Sequence, residues 1–269
     1  MIIRKRLCFL GRRHLGSNSK TEKIAIISDI HSNLEALQSC LDFANSEGVK
    51  QFAFLGDMVG YNADPSKVIA VVRSIVEEGR GFALLGNHDE AMFKFSGLNF
   101  NNEAMVAIEW TRKQLSNDDV EFLKSLPRVK IDELVFYAHA TPYEPQAWHY
   151  VQHPQHARRC AESANKPYAI LGHVHDSAIY YELPSKMFHF LKPQPDLPIK
   201  VLNRRKWVIM AGSAGQPRDG QPKAHMSILD LSLQTITFHR LPYDHITAAQ
   251  KIESSGLPKS LARRLIFGF

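Results

Sequence analysis

The feature that most restricts this chain is a recurrence. Five short apolar runs, rich in β-branched and aromatic residues, each end in side chains that can bind a cation or a proton. KIAIIS leads into Asp29-Ile30-His31, QFAFL into Gly56-Asp57, GFALL into Gly86-Asn87-His88-Asp89, ELVFYA into His139, and YAIL into Gly172-His173-Val174-His175. Runs of this length and composition read as buried strands. Amphipathic stretches separate them. Ser32-Asn33-Leu34-Glu35 has the form of a capping box, followed by Leu34, Leu37, Leu41 and Ala44 at helical spacing as far as Gly48. Asp64-Pro65 opens a second helix with proline at its first position, and Gly79 closes it after Val68, Val71, Val72, Ile75 and Val76. Alternating strands and helices predict a layered α/β fold. In such sheets ligands bind beyond the carboxyl ends of the strands, so the five polar endings are expected on one rim.

The rest of the chain completes this pattern. Residues 101–126 read as two helical pieces broken at Ser116-Asn117-Asp118 and stopped by Pro127; RVKID and ELVFYAHA read as a hairpin; residues 154–165 read as a short helix. AIYYEL, KWVIMAG, AHMSILDL and QTITFHRL are strand-like. The Pro-punctuated insertion 184–205 reads as a loop or irregular hairpin, and 244–269 as a helical tail. With no repeat or linker, 22–269 is expected to form a single domain, and 44% hydrophobic residues suffice for a sizeable core.

The formal net charge of +6 is concentrated at one end. Residues 1–21 hold six bases (Arg4, Lys5, Arg6, Arg12, Arg13, Lys20) and no acid, so the remainder carries 27 bases against 27 acids. That balance argues against nucleic acid as a partner. The leader lacks the apolar core of a secretory signal and reads as a disordered basic extension. Cys8, Cys40 and Cys160 are odd in number and widely spaced, which fits a reducing, cytoplasmic location and neither a disulfide framework nor a zinc ribbon. No run reaches the ~20 apolar residues of a membrane span.

Asp29, His31, Asp57, Asn87, His139, His173 and His175 supply two carboxylates, one amide oxygen and four imidazoles, more than one tetrahedral metal needs. Two metals are implied. With Asp57 bridging, each receives four protein ligands at the ~3.5–4 Å separation of two-metal hydrolases. The mixture of imidazole and oxygen favours Mn, Fe, Ni, Co or Zn over Mg or Ca. His149, His153 and His156 follow no strand and are read as non-ligands.

The ordered set D-x-H, G-D, G-N-H-D, a lone His and G-H-x-H resembles the calcineurin-like metallophosphoesterase superfamily over Ile24 to Leu241. The resemblance implies a four-layer α/β/β/α sandwich with two central mixed sheets. It also implies that Asp29, His31, Asp57 and His175 hold one metal, and Asp57, Asn87, His139 and His173 the other. A metal-bridging hydroxide would attack a small phosphate ester, with His88 assisting the leaving group and Asp89 orienting its ring. Protein phosphatases and diadenosine tetraphosphatases resemble G-D-x-x-D-R-G, whereas Gly56-Asp57-Met58-Val59-Gly60-Tyr61 lacks the arginine. GDMVGY, GSAGQPRDG at 212–220, ILDL, RLPYD and GLP look instead like the small bacterial and archaeal predicted phosphodiesterase group. Met210-Ala211 stands where that group commonly shows Asn or Pro. A phosphodiesterase is therefore expected, the alternatives being a phosphomonoesterase or protein phosphatase and a non-catalytic metal-binding scaffold.

Substrate contacts are expected from Asn87 and His88, and three further residues carry two readings each. GSAGQPRDG is either a tight connection or the source of Gln216 and Arg218 at a phosphate; Tyr61 either packs or stacks on a base. Lys186, Lys192, Lys200, Arg204 and Arg205, with Phe188, His189 and Phe190, make 184–205 either a solvated loop or a basic aromatic lid for a nucleotide-like anion.

Overall fold

A computed structural model of the chain describes residues 23–95 and 100–269; the basic leader 1–21 lies outside the described residues. Among these residues twelve strands form two mixed sheets of six. The first runs β3 (Gly81–Ala83), β2 (Gln51–Phe54), β1 (Lys23–Ile27), β11 (Lys223–Asp230), β12 (Thr235–Pro242), β9 (Ile199–Lys200). The second runs β4 (Val129–Ile131), β5 (Val135–Ala138), β6 (Tyr168–Leu171), β10 (Trp207–Ala211), β7 (Ser177–Glu182), β8 (Phe188–Leu191). Strands β1, β2 and β3 are parallel to one another, as are β5, β6 and β10, while the remaining pairings are antiparallel.

The layering follows from the two-residue period of a strand, whose successive side chains face opposite ways. In β1 and β2, Ile26, Ala53 and the following Leu55 enter a core shared with Val135 and Tyr137 of β5, Tyr168 and Ile170 of β6, and Trp207 and Ile209 of β10. Their neighbours Ala25, Ile27, Phe52 and Phe54 face the other way, onto α1 (Leu34–Ser46) and α2 (Pro65–Glu77). Likewise Phe136, Ala138, Ala169, Leu171, Val208 and Met210 turn outward onto α6 (Pro154–Ala164). Apolar residues on both faces explain why these strands read as continuous apolar runs, and the order is helix, sheet, sheet, helix.

Several local expectations are corrected. Asn33, not Ser32, caps α1, its side chain accepting from the Ala36 N–H at 3.1 Å. Glu35 instead joins Asp64 on Lys251 of α7 (His245–Ser254). The tail is two helices, because Gly256-Leu257-Pro258 separates α7 from α8 (Lys259–Phe267). Insertion 184–205 takes the hairpin of its two readings at its start, where β8 pairs antiparallel with β7. It contributes β8 at the edge of the second sheet and β9 at the edge of the first, and so joins the two layers.

The Lys251 junction ties α7 to the starts of α1 and α2. Burial alone would raise the Asp64 carboxyl, but Lys251 and Lys67 outweigh it and hold Asp64 below the ordinary 3.8. A carboxylate whose folded-state value is depressed stabilises above its unfolded value, and the contribution is lost as pH falls through the folded one. Thermal melts of wild type and Asp64→Asn are expected to differ by roughly a few degrees at pH 6 and to converge as the pH falls below the ordinary carboxylate range.

Candidate metal centre

The carboxyl ends of β1, β2, β3, β5 and β6 meet at one edge of the two sheets, and the loops that leave them interlock through the backbone. Asp29 N–H donates to Gly56 C=O at 3.1 Å, His31 N–H to Asp57 C=O at 2.9 Å and Ser32 N–H to Met58 C=O at 2.8 Å. The second sheet joins through His173 N–H, which donates to Asp29 Oδ2 at 3.0 Å. In the loops that leave β1, β2 and β6 non-glycine residues take the left-handed region: Asp29, His31, Asp57, His173 and His175 have φ of 53°, 49°, 52°, 67° and 69°. Strain of this kind persists only where surrounding contacts over-determine the backbone, and it concentrates at functional sites.

All seven candidate ligands are buried and share this edge. Asp29, His31 and His175 form one cluster and Asp57, His139 and His173 a second; His31 and Asp57 also form a cluster with His88. The Asp57 Oδ2 atom lies 3.7 Å from His31 Nε2 and 3.3 Å from His139 Nε2, between the two clusters. Asn87 Oδ1 is 3.1 Å from His139 Nε2. Asp57 Oδ1 accepts the His88 backbone N–H at 2.8 Å, which fixes the carboxylate plane.

Each of the four histidines has one ring nitrogen committed to a backbone carbonyl. His31 Nδ1 is 3.1 Å from Val59 C=O, His139 Nδ1 2.7 Å from Leu55 C=O, His175 Nδ1 2.9 Å from Gln216 C=O, and His173 Nε2 3.0 Å from Trp148 C=O. Donation there fixes the tautomer and turns the other nitrogen's lone pair toward the site, the usual support of a ligating imidazole. Burial keeps His31 and His175 well below the usual imidazole range and pushes His173 down to about 3, so all three rings are neutral at pH 7. For His139 burial acts the same way, but the Asp57 carboxylate outweighs it and raises the ring to about 9, so a cation bound there would have to displace the Nε2 proton. Burial pushes Asp29 up to about 6, and its Oδ1 is buried with no hydrogen-bond partner although the His175 and His31 Nε2 atoms stand 3.3 and 3.9 Å away. An orphaned carboxylate oxygen faced by oriented imidazole lone pairs is an arrangement a cation completes. The donor set fits two divalent ions.

His88 and Asp89 lie in the single turn α3 (Asn87–Glu90). The His88 ring packs among Tyr61, Phe100 and His31 at centroid distances of 4.6, 4.8 and 4.8 Å, and its buried Nδ1 has no partner. Burial pushes it down to about 4. Asp89 does not fill the role expected for it. Its Oδ1 and Oδ2 accept the Val59 and Gly86 N–H groups at 3.1 and 3.0 Å, so it fastens the loops after β2 and β3 to each other instead of orienting His88.

Tyr61, Asn87 and His88 line a cavity of about 340 Å³ beside the centre, together with Phe100, Trp148, Tyr150 and His173. Arg218 borders a neighbouring cavity and donates to Gln216 Oε1 at 2.8 Å. Gln216 is buried and positions His175 through its carbonyl. His149, His153 and His156 join none of the three clusters found among the described residues. Sequence reasoning missed Trp148, whose carbonyl holds His173, and Tyr150, which stacks on the His173 ring at 4.1 Å. It also missed Glu90, a buried carboxylate that anchors Trp148 Nε1 at 3.1 Å and pairs with Arg128. The only available signal was the aromatic pair in Trp148-His149-Tyr150.

The GSAGQPR segment after β10 braces this edge from the second sheet. Ala214 and Gly215 N–H groups donate to Ser28 and Asp29 carbonyls at 2.9 and 3.0 Å, and Ser213 Oγ donates to Asp29 C=O at 2.8 Å. A Cβ at Gly215 would stand 1.6 Å from the Ile30 carbonyl oxygen. Gly215→Ala is therefore expected to lose about 3 kcal/mol of stability and to weaken metal binding, read by thermal denaturation and metal content after dialysis.

The family model for calcineurin-like phosphoesterases matches residues 22–177. An uncharacterized protein of Methanocaldococcus jannaschii is 34% identical over 250 residues, covering 91% of this chain and 98% of the relative. The crystal structure of a metallophosphoesterase from Sphaerobacter thermophilus superposes with a TM-score of 0.81 at 32% identity, covering 92% of this chain and 99% of that one. A hypothetical protein from Pyrococcus horikoshii shares the fold, with a TM-score of 0.74 at 17% identity over 92% of this chain and 98% of its own. With over half its length matched by the family model and more than nine-tenths aligned to a relative of 34% identity, the chain belongs to the calcineurin-like phosphoesterase family.

Proposed function

We propose that this protein is a dinuclear metal-dependent phosphodiesterase that hydrolyses small phosphate esters. The reading rests on one observation: two clusters of oriented imidazoles and carboxylates that share Asp57, with the His88 ring at the wall of an adjoining cavity. Asp29, His31, Asp57 and His175 would hold one ion, and Asp57, Asn87, His139 and His173 the other. Two such cations lower the pKa of water and offset phosphate charge during an in-line displacement. Asn87 and His88 line the cavity, and the His88 ring, which burial keeps neutral at pH 7, would donate its N–H to the leaving oxygen. Tyr61 and Phe100 fix the plane of that ring and exclude water from its faces. One water is consumed: its oxygen becomes a phosphate oxygen, the ester P–O bond breaks, and the leaving alcohol departs protonated.

The diester preference is supported by charge. Among the described residues, the lining of the cavity beside His88 includes no lysine or arginine, which suits a monoanion better than a dianionic monoester. Mn, Fe, Ni, Co and Zn suit the mixed imidazole and oxygen donors. Cys40 and Cys160 are free and buried, and burial pushes both thiols up to about 12, which leaves them unreactive. No helix among the described residues is long and apolar enough to cross a membrane.

The test is metal-stripped protein reloaded separately with each ion and assayed on bis-p-nitrophenyl phosphate and p-nitrophenyl phosphate. Metal-dependent turnover that favours the diester is expected. Preference for the monoester would make the protein a phosphomonoesterase, and two bound ions with no turnover on either would favour the scaffold.

A further inference from the structure

A second cavity, of about 540 Å³, adjoins the one beside His88, and Tyr150 lines both. The shared ring is itself stacked on His173. The larger one is built from different material. Arg218 and Lys192 border it against the single acid Asp176, and its aromatic walls are Tyr150, Tyr180 and Phe190.

Three observations mark this as a ligand site. Phe190 and Tyr150 are 52% and 50% exposed, so two large rings turn toward one solvent-filled space instead of the core. Phe190 is held there: it lies opposite Tyr180 in the β7–β8 ladder, and the two rings pack at 5.4 Å. Arg218 ties the cavity to the metal centre: it lines the cavity and donates to Gln216 Oε1 at 2.8 Å, and the Gln216 carbonyl holds His175. A planar guanidinium at the cavity wall can pair with an anionic ligand.

We propose that this cavity is the subsite for the retained arm of a diester, and that the arm is a nucleotide. Its base would lie against Phe190 and Tyr150, with its negative charge toward Arg218 and Lys192. A phosphodiester carries two substituents on phosphorus, and the two cavities give each a place: the leaving arm beside His88, the retained arm beside Phe190. Base stacking on aromatic side chains tolerates any base, so the class is nucleotide diesters without base selectivity. The inference rests on the phosphodiesterase reading above and names the substrate class for the same centre.

Phe190→Ala tests it, because an exposed ring at a sheet edge can be removed without opening the core. Metal-loaded wild type and variant are assayed on thymidine 5′-(p-nitrophenyl phosphate) and on methyl p-nitrophenyl phosphate, which share a leaving group and differ only in the retained arm. The variant is expected to lose about tenfold in kcat/KM on the thymidine ester, through KM, and to stay within about twofold of wild type on the methyl ester. An unchanged rate on the thymidine ester, or equal losses on both, would overturn the proposal. If neither ester is hydrolysed with any metal, the phosphodiesterase reading fails separately. Calorimetric titration with dithymidine phosphorothioate then decides the subsite: weaker binding by the variant upholds it, and equal binding by both proteins overturns it.

Discussion

Asp57→Asn is expected to abolish activity, by at least about a thousandfold, and to release metal in the same step. Its carboxylate is the one group placed between both histidine clusters, with Oδ2 within 3.7 Å of His31 Nε2 and 3.3 Å of His139 Nε2. Burial would push this carboxyl up, yet the His139, His88 and His31 imidazoles hold it well below its ordinary value, so it is charged whenever the protein is folded near neutrality. Asparagine keeps the shape and can still accept the His88 N–H, but it removes the charge that two neighbouring cations would share. Metal analysis after gel filtration, beside the two-ester assay, reads the result. Retention of two ions per chain with full activity would remove Asp57 from the centre.

His88→Ala is expected to separate the two properties. Activity should fall by ~10²–10⁴, the range for loss of a positioned acid, while metal content stays at the wild-type value. The backbone N–H that fixes Asp57 survives in alanine, and the seven proposed ligands do not include the His88 ring. The informative contrary outcome is loss of metal. His88 also falls within reach of His31 and Asp57, so an emptied site would make it a ligand and leave the leaving oxygen to another donor.

The ligands were legible because each follows a strand whose own signal is strong, and strand ends in one sheet share an edge. Asp29 or His173 alone would have meant little; five endings in order carried the argument. What escaped was long-range or conformational. The strand β9 is a two-residue pairing of Ile199 and Lys200 with β12, and no local pattern announces it. The resemblance implied that Asp89 orients His88, but the turn of α3 directs its carboxylate to backbone N–H groups of two loops. The left-handed backbone at five ligands is likewise invisible in residue types, since Asp and His adopt it only where neighbouring loops impose it. Trp148 and Tyr150 sit in a connection with no periodicity, and only the fold shows that they wall the centre.

The ligands divide by layer. Asp29, His31, Asp57 and Asn87 come from the first sheet and His139, His173 and His175 from the second, and each of the two main clusters draws on both. Neither sheet owns a complete site. Each would present half of the proposed chelate, and the apolar interface between them would set the effective concentration at which one half meets the other. In the proposed centre metal affinity would therefore gauge how well the two sheets are docked, and Tyr137 and Trp207, buried in that interface, would contribute to it through packing alone.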